Sequence, residues 1–270
     1  VGDRALTANT TGNNNTALGA ISLFSNTTGG FNTAVGSQAL FLSTTGNYVV
    51  AVGYQSGYSH TTGLYNVYNG ALSGYSNTSG SNNTNLGYAA NFSNATGNNN
   101  TSIGMQSLNS NTESNNTAVG YQAGYSNTTG TQNVVLGTQS LYTNTVGSNN
   151  IASGYQSLYA NTTGDANIAS GFRALYSNTT GANNVSIGQS ALQSNTTASN
   201  NTAVGYQAGY SNTTGTANVF LGLQTAYWNT TGSSNVSLGY GAFSSNNGSA
   251  NGTGSFNVAV GRESLANNTT

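Results

Sequence analysis

The side chains that could carry out chemistry in this 270-residue chain are few enough to consider one by one. The only histidine is His60, and it stands where most repeats of the sequence have asparagine, which favours a substitution within a structural column over a metal ligand or a general base. The pairs Asp3/Arg4 and Arg262/Glu263 stand where other repeats have tyrosine and glutamine, which indicates a solvated surface.

The remaining acidic residues, Glu113 and Asp165, have no second carboxylate at a matching place in the repeat, as an acid–base pair requires. Serine and threonine abound, but a nucleophile needs an adjacent base. No glycine-rich loop is followed by the Lys-Ser/Thr of a phosphate site. The sequence therefore predicts no enzyme, no catalytic residue, no cofactor and no metal.

Composition narrows the choice of partner. Charged residues make up 3% of the chain, against about 25% in ordinary soluble domains. A nucleic-acid-binding protein needs a basic stripe, which is absent. No apolar run approaches the roughly 20 residues that span a bilayer, so we expect no membrane insertion. Without cysteine there is no disulfide or thiolate metal site.

One short phrase repeats along the whole chain. The stretches Ala118–Gly137 and Ala203–Gly222 are nearly identical and begin 85 residues apart, which is five units of 17. A glycine that closes phrases such as "AVG" and "SIG" marks each unit, with one step of 16 and one of 22. A fixed short period is typical of solenoids. These marker glycines are Gly2, Gly19, Gly36, Gly53, Gly70, Gly87, Gly104, Gly120, Gly137, Gly154, Gly171, Gly188, Gly205, Gly222, Gly239 and Gly261.

Each unit reads roughly Y-Q-[AS]-L-Y-S-N-T-T-G-x-x-N-[TV]-A-[VIL]-G, numbered here from position 1 after a marker glycine to position 17, the next one. Positions 14 and 16 are aliphatic around a small residue, which predicts a strand with those two side chains pointing inward. Seventeen residues have room for two short strands and two turns. We predict an all-β protein, a parallel β-solenoid or β-roll of about sixteen 17-residue coils. The alternative, a disordered low-complexity tract, has no reason to keep this phase.

Two asparagine columns, at positions 7 and 13, flank the "TTG" segment. Stacked amides can form ladders along the axis, and the glycine of "TTG" is expected to supply a positive φ. Both changes in repeat length, within Asn111–Asn116 and Ser244–Gly254, fall in this segment and predict a loop. The predicted ladder residues at position 13 are Asn15, Asn32, Asn66, Asn83, Asn100, Asn116, Asn133, Asn150, Asn167, Asn184, Asn201, Asn218, Asn235 and Asn257.

The predicted coil is too thin to be stable alone. Ordering 17 residues costs about 25 kcal/mol, whereas three or four buried aliphatic side chains return about 1.5–3 kcal/mol each. Small residues at positions 3 and 15 would allow another chain to approach closely, and the aromatic column at position 5 could pack between protomers. We therefore expect a homo-oligomer, most simply a homotrimer.

The phrases "NTAVG" (Asn32–Gly36) and "NNTSIG" (Asn99–Gly104) resemble the "NSVAIG" phrase of YadA-like trimeric autotransporter adhesin heads. The longer "NTAVGYQAGYSNTTG" resembles repeat regions of phage tail fibres and bacterial surface proteins that often end in an S74-type chaperone domain. The resemblance implies a left-handed parallel β-roll in a trimer, with the valines and isoleucines of positions 14 and 16 inside. The 17-residue unit is longer than the adhesin repeat.

These observations predict one continuous array over residues 1–270, a segment of a longer chain. The expected function is an extracellular structural shaft, on a virion fibre or a cell surface, that presents a receptor-binding tip. One alternative is an adhesin that binds cell-surface glycans along the shaft by repeated weak contacts, and a minor one is an ice-binding solenoid. The candidate contact residues for glycans are Tyr58, Tyr125, Tyr142, Tyr159, Tyr176 and Tyr210.

Overall fold

Each repeat forms one three-residue β-strand, at positions 14 to 16, followed by a series of turns. A computed structural model describes residues 2–244 and 253–266, and within these ranges no residue is helical. The β-branched and aliphatic residues at positions 14 and 16 favour the extended backbone, and the marker glycine ends each strand. The marker glycine Gly36, for example, has a φ of +136°.

The chain divides into two compact units, residues 1–132 and residues 133–270. In the first unit, neighbouring strands pair in parallel in chain order, and each residue lies beside its equivalent in the next repeat, as Ala34 lies beside Ala51. The strands of this unit are β1 (Thr16–Leu18), β2 (Thr33–Val35), β3 (Val50–Val52), β4 (Val67–Asn69), β5 (Thr84–Leu86), β6 (Thr101–Ile103) and β7 (Thr117–Val119).

The second unit repeats the arrangement, with parallel pairing in chain order and the same register. Its strands are β8 (Val134–Leu136), β9 (Ile151–Ser153), β10 (Ile168–Ser170), β11 (Val185–Ile187), β12 (Thr202–Val204), β13 (Val219–Leu221), β14 (Val236–Leu238) and β15 (Val258–Val260). The predicted parallel β-solenoid is confirmed. Among the described residues, no helix is long and apolar enough to cross a membrane.

The solenoid has about 13 turns, slightly fewer than the sixteen that the marker glycines predict. The first marker, Gly2, follows no described strand, and the last marker, Gly261, is followed by no complete described coil.

A second strand in each coil was also predicted, and this was wrong. The backbone after the marker glycine forms successive turns whose N–H groups bond to neighbouring coils in alternate directions. Gln38 donates to the Ala20 carbonyl of the preceding coil at 3.0 Å, and Leu40 donates to the Ser56 carbonyl of the following coil at 3.0 Å. Both residues are left-handed, with φ of 60° and 52°. Coil-to-coil bonding therefore continues without extended backbone.

The interior is lined by positions 3, 4 and 15 together with the two asparagine columns. The prediction that positions 14 and 16 point inward is wrong: in strand β3, Ala51 is fully buried whereas Val50 is 39% exposed. Leucine at position 4, such as Leu40, fills most of the narrow interior. Only a small side chain fits opposite it, so the alanine of the strand turns inward and the aliphatic residues turn outward. For the same reason, the small residues at positions 3 and 15 are buried within the coil and are not open to another chain.

The two coils with a large aromatic residue in the strand exchange these sizes. Tyr68 and Phe220 occupy position 15, are fully buried, and lie against coils in which position 4 is glycine. A Cβ on Gly74 would overlap the Tyr68 ring, and a Cβ on Gly209 would overlap the Phe220 ring. In these coils the large interior side chain therefore comes from the strand instead of the turn.

The segment from position 8 to position 12 absorbs the changes in repeat length, as predicted. In the 16-residue repeat, Glu113 takes the place of the "TTG" glycine and its carbonyl accepts a bond from Asn100 at 2.8 Å, while strand register is kept. Most of the longer change, residues 245–252, lies outside the described residues. The positive φ predicted for the "TTG" glycines is wrong; a Cβ on Gly29 would instead overlap the Gly46 carbonyl, so glycine is needed there for close approach.

Candidate functional site

The asparagines at position 7 form an amide ladder inside the coil. The Nδ2 of Asn178 donates to Asn161 Oδ1 at 2.8 Å, and the Nδ2 of Asn195 donates to Asn178 Oδ1 at 2.9 Å. Most of these amides also donate to a carbonyl three residues on, as Asn178 does to Gly181 at 2.9 Å. Stacked asparagine side chains thus bond along the axis, as the sequence predicts.

The predicted ladder at position 13 works mainly through the backbone. The Oδ1 of Asn66 accepts the backbone N–H of Asn83 at 2.9 Å, and the Nδ2 of Asn66 donates to the Gly80 carbonyl at 2.8 Å. Direct amide-to-amide bonds also occur, as between Asn184 and Asn167 at 3.1 Å. Both columns tie the inner wall of one coil to the next, and their buried amides are not accessible to a ligand.

His60 interrupts the position 7 ladder in the first unit. It is fully buried, its Nδ1 lies 3.2 Å from Ser43 Oγ, and its ring meets the Tyr68 ring edge-on at 6.0 Å. Burial lowers the pKa of His60 to about 4, with the Gly63 backbone opposing this, and burial raises the pKa of Tyr68. The next amide, Asn77, is left without a hydrogen-bond partner among the described residues. The structure places His60 as a packed substitute for asparagine.

The charged residues do not converge on a reactive site. Arg4 lies 3.8 Å from Asp3 and Arg262 lies 3.4 Å from Glu263, and all four side chains are at least half exposed. Asp165 accepts the backbone N–H of Ser148, one coil away, at 2.6 Å. Across residues 2–244 and 253–266, no three histidine, cysteine, aspartate or glutamate side chains come together in a way that could hold a metal.

The aromatic residues at position 5 stack face to face from coil to coil. Ring centroids are 5.0–5.3 Å apart and ring planes lie within 17° of parallel. A stacked ring covers its neighbour's face and leaves mainly its edge to solvent. The six candidate contact tyrosines, all half-buried, are Tyr58, Tyr125, Tyr142, Tyr159, Tyr176 and Tyr210.

A second aromatic stack was missed in the sequence. Phe31, Tyr48 and Tyr65 occupy position 12, with ring centroids 5.0 and 5.1 Å apart, and each ring is about half exposed. Their spacing of 17 residues was visible in the sequence. It went unnoticed because position 12 is polar in most other repeats.

The outward side chains of positions 14 and 16 form what we call the strand face. In the first unit it is mixed, because position 14 is threonine in five of the seven strands. In the second unit it is mainly apolar, and in strands β8 to β14 its exposed aliphatic side chains are 36–45% accessible. Neighbouring members lie side by side in register, as Ile151 does with Ile168. In the second unit these exposed side chains are Val134, Leu136, Ile151, Ile168, Ile187, Val204, Val236 and Leu238.

A pocket of about 290 Å³ lies in the second unit beside the turns that follow Gly222 and Gly239. The aromatic residues Tyr227, Trp228 and Tyr240 contribute to its walls, together with Gln224 and Glu263. None of these residues belongs to the strand face. This pocket was not predicted from the sequence, although it adjoins the 22-residue step in the repeat.

The fold, the amide columns and the stacked rings define a parallel β-solenoid repeat protein, compatible with a β-roll. No family model, curated protein or solved structure matches the chain.

Proposed function

We propose that the chain is a non-enzymatic structural shaft segment of an extracellular fibre, on a virion or a cell surface, that assembles as a homotrimer and presents a separate receptor-binding tip. The observation that carries the proposal is the strand face. Every described strand contributes at least one aliphatic side chain to it, and burying these side chains against a partner would stabilise an assembly by about 25 cal/mol per Å² of apolar surface.

The partner that suits this face best is a second copy of the same chain. Its apolar side chains recur once per coil, in register, with the spacing of parallel strands, about 4.8 Å. A partner can match every row only if its own apolar rows have the same spacing. Another copy of this solenoid meets that condition over the full length of each unit, and closed cyclic symmetry then limits assembly to a defined number of chains.

Composition also supports a shaft over the other functions considered. With a formal net charge of −1 and 3% charged residues, the chain has no field to steer a charged substrate or a nucleic acid. The ring faces of the position 5 tyrosines stack against each other and are not open to a sugar, which favours a structural column over repeated glycan contacts along the shaft.

The test combines assembly with particle shape. In electron micrographs of the purified chain, we expect elongated particles of uniform width. A variant with lysine on the strand face, I151K/I168K, should give narrower single chains that retain the β-rich circular dichroism of the wild type. The matched control T163K, in an exposed position of the same repeats, should leave the particles unchanged. Globular particles, or wild-type particles indistinguishable from those of I151K/I168K, would contradict the proposal.

A further inference from the structure

The pocket of the second unit exists because one coil lacks two side chains that its neighbours have. At position 5, the stack formed by Tyr210 and Tyr227, 5.0 Å apart and 3° from parallel, meets Ser244 in the next coil. At position 2, Gln224 donates to Gln207 at 3.0 Å, and the next coil has Gly241. The face of Tyr227 and the amide of Gln224 therefore border an opening at the place of the missing side chains.

The coil beyond the opening stays in register, so the gap has a far wall. Glu263 donates its backbone N–H to the Tyr240 carbonyl at 2.8 Å, and strand β15 pairs with β14. This places Glu263 at position 2, directly across the glycine from Gln224. The Glu263 side chain, half exposed, lies 3.5 Å from where a Cβ on Gly241 would be.

A second departure from the repeat occurs at the same place. Position 6 holds a small residue in most repeats, such as Ser177 or Ser211, but here it is Trp228, the single tryptophan of the chain. Its ring meets the Tyr227 ring at 4.7 Å and 74°. The two rings therefore make a corner beside the gap, and a half-buried tryptophan on a polar repeat surface is unlike the rest of the array.

Other interruptions of the position 5 stack are filled. Gln193 stands between Tyr176 and Tyr210 and donates to the Tyr210 hydroxyl at 3.4 Å. Asn109 stands beyond Phe92 and donates to the Ala89 carbonyl at 3.2 Å. Among the coils that the structure describes, only the coil of Ser244 combines two losses. Its aromatic residue at position 5 is replaced by a small side chain, and its position 2 has no side chain.

We propose that this pocket binds a neutral pyranose sugar, which occupies the place of the missing tyrosine ring. A pyranose has an apolar C–H face that packs on the half-buried Tyr227 and Trp228 rings. Its hydroxyls would bond to the Gln224 amide and the Glu263 carboxylate, and the bonds to the carboxylate are charge-assisted. At about 290 Å³ the pocket lies at the small end of ligand sites, enough for a short saccharide.

Charge selects among sugars. Glu263 places a carboxylate on the pocket wall, and its neighbour Arg262 is already engaged, with Nε 3.4 Å from Glu263 Oε1 and its guanidinium over the Tyr240 ring at 5.5 Å. Because Arg262 is already paired with Glu263, it is not free to bind an anionic sugar, so neutral hexoses are favoured over sialic acid. This inference goes beyond the structural role, because it assigns one local binding site to the shaft itself.

Trp228 provides a direct signal, because it is the only tryptophan. Titrating the full chain with methyl hexopyranosides and N-acetylhexosamines should give a saturable change in tryptophan emission, and sialic acid should give none. Failure of every neutral sugar to produce saturable binding, or saturable binding of sialic acid in preference to them, would overturn the proposal. So would binding of a planar aromatic compound such as indole with no binding of sugar.

A variant that restores the repeat tests the location. G241Q/S244Y puts back the two missing side chains; glutamine is tolerated at position 2 with the same left-handed backbone, as in Gln224 with φ of 51°. Calorimetry should show sugar affinity reduced at least about tenfold, with unchanged circular dichroism. The control Y159S removes a ring from an uninterrupted stack and should bind sugar like the wild type. Full retention of binding by G241Q/S244Y would place the sugar elsewhere and overturn the assignment.

Discussion

At the scale of single residues, His60 makes the stability of the first unit depend on pH. Its pKa is about 4 in the folded chain, against 6.5 in its ordinary environment, because burial disfavours the charged ring. Between these values the unfolded chain binds more protons, so stability is highest above pH 6.5 and falls as the pH drops toward 4. The loss is at most about 3 kcal/mol.

The variant H60N tests this effect, because asparagine is the usual residue of that column and does not titrate. Urea unfolding at pH 7 and at pH 4.5 should show a larger drop in midpoint for the wild type than for H60N. The comparison isolates the histidine, because the two proteins are otherwise identical in sequence. Equal drops would show that His60 is already accessible to protons in the folded chain.

Removing one asparagine of the amide ladder should lower the free energy of unfolding far more than removing an exposed side chain of the same turn. In N178A, the Gly181 carbonyl and the amides of Asn161 and Asn195 each lose a bond in a buried site. We expect a loss of about 2–3 kcal/mol in the free energy of unfolding. The control T180A, at an exposed position, should change it by less than about 0.5 kcal/mol. Similar unfolding curves for the two variants would contradict a stabilising ladder.

At the scale of the element, each coil has room for one large inward side chain. G209L should destabilise the second unit because its side chain meets the Phe220 ring, and F220A should cost about 3–5 kcal/mol by leaving a cavity. The double variant G209L/F220A recreates the pairing of Leu192 with Ala203. We expect it to be more stable than F220A, measured by urea unfolding.

The backbone does not complicate this test, since leucine at position 4 is left-handed elsewhere, as in Leu192 with φ of 46°. The coupling between the two substitutions is what the interior predicts. If the free energy changes of the single variants simply add, the shared interior volume is not the reason for the Gly209–Phe220 pair.

The element scale also shows what the sequence could and could not predict. The period, the strands at positions 14 to 16 and the asparagine columns followed from residue spacing alone. Which side chains of the strand point inward did not follow, because a three-residue strand with aliphatic ends and a small centre can turn either set of side chains to the interior. The orientation is decided by Leu40 and its equivalents. These left-handed turn residues fill most of the interior and leave room only for the small residue of the strand. The pocket at Tyr227 was missed because it arises where Gly241 and Ser244 replace larger side chains. The repeat pattern was defined by the residues that recur and not by those that are missing from one coil.

At the scale of the whole molecule, the strand face should control assembly. Lysine at Ile151 and Ile168 places charges where the proposed homotrimer buries aliphatic side chains, and burying unpaired charge is costly. We expect I151K/I168K to elute as a single chain in size-exclusion chromatography with light scattering, and T163K to elute like the wild type. An unchanged mass for I151K/I168K would move the interface to another face.

Sedimentation equilibrium of the wild-type chain at micromolar concentration tests the central claim most directly. An exposed, in-register apolar face on a thin solenoid predicts self-association, and a homotrimer would sediment at three times the 27.3 kDa mass of one chain. A stable mass of 27.3 kDa across that concentration range would contradict the account, because the strand face would then be a surface that the protein leaves in water.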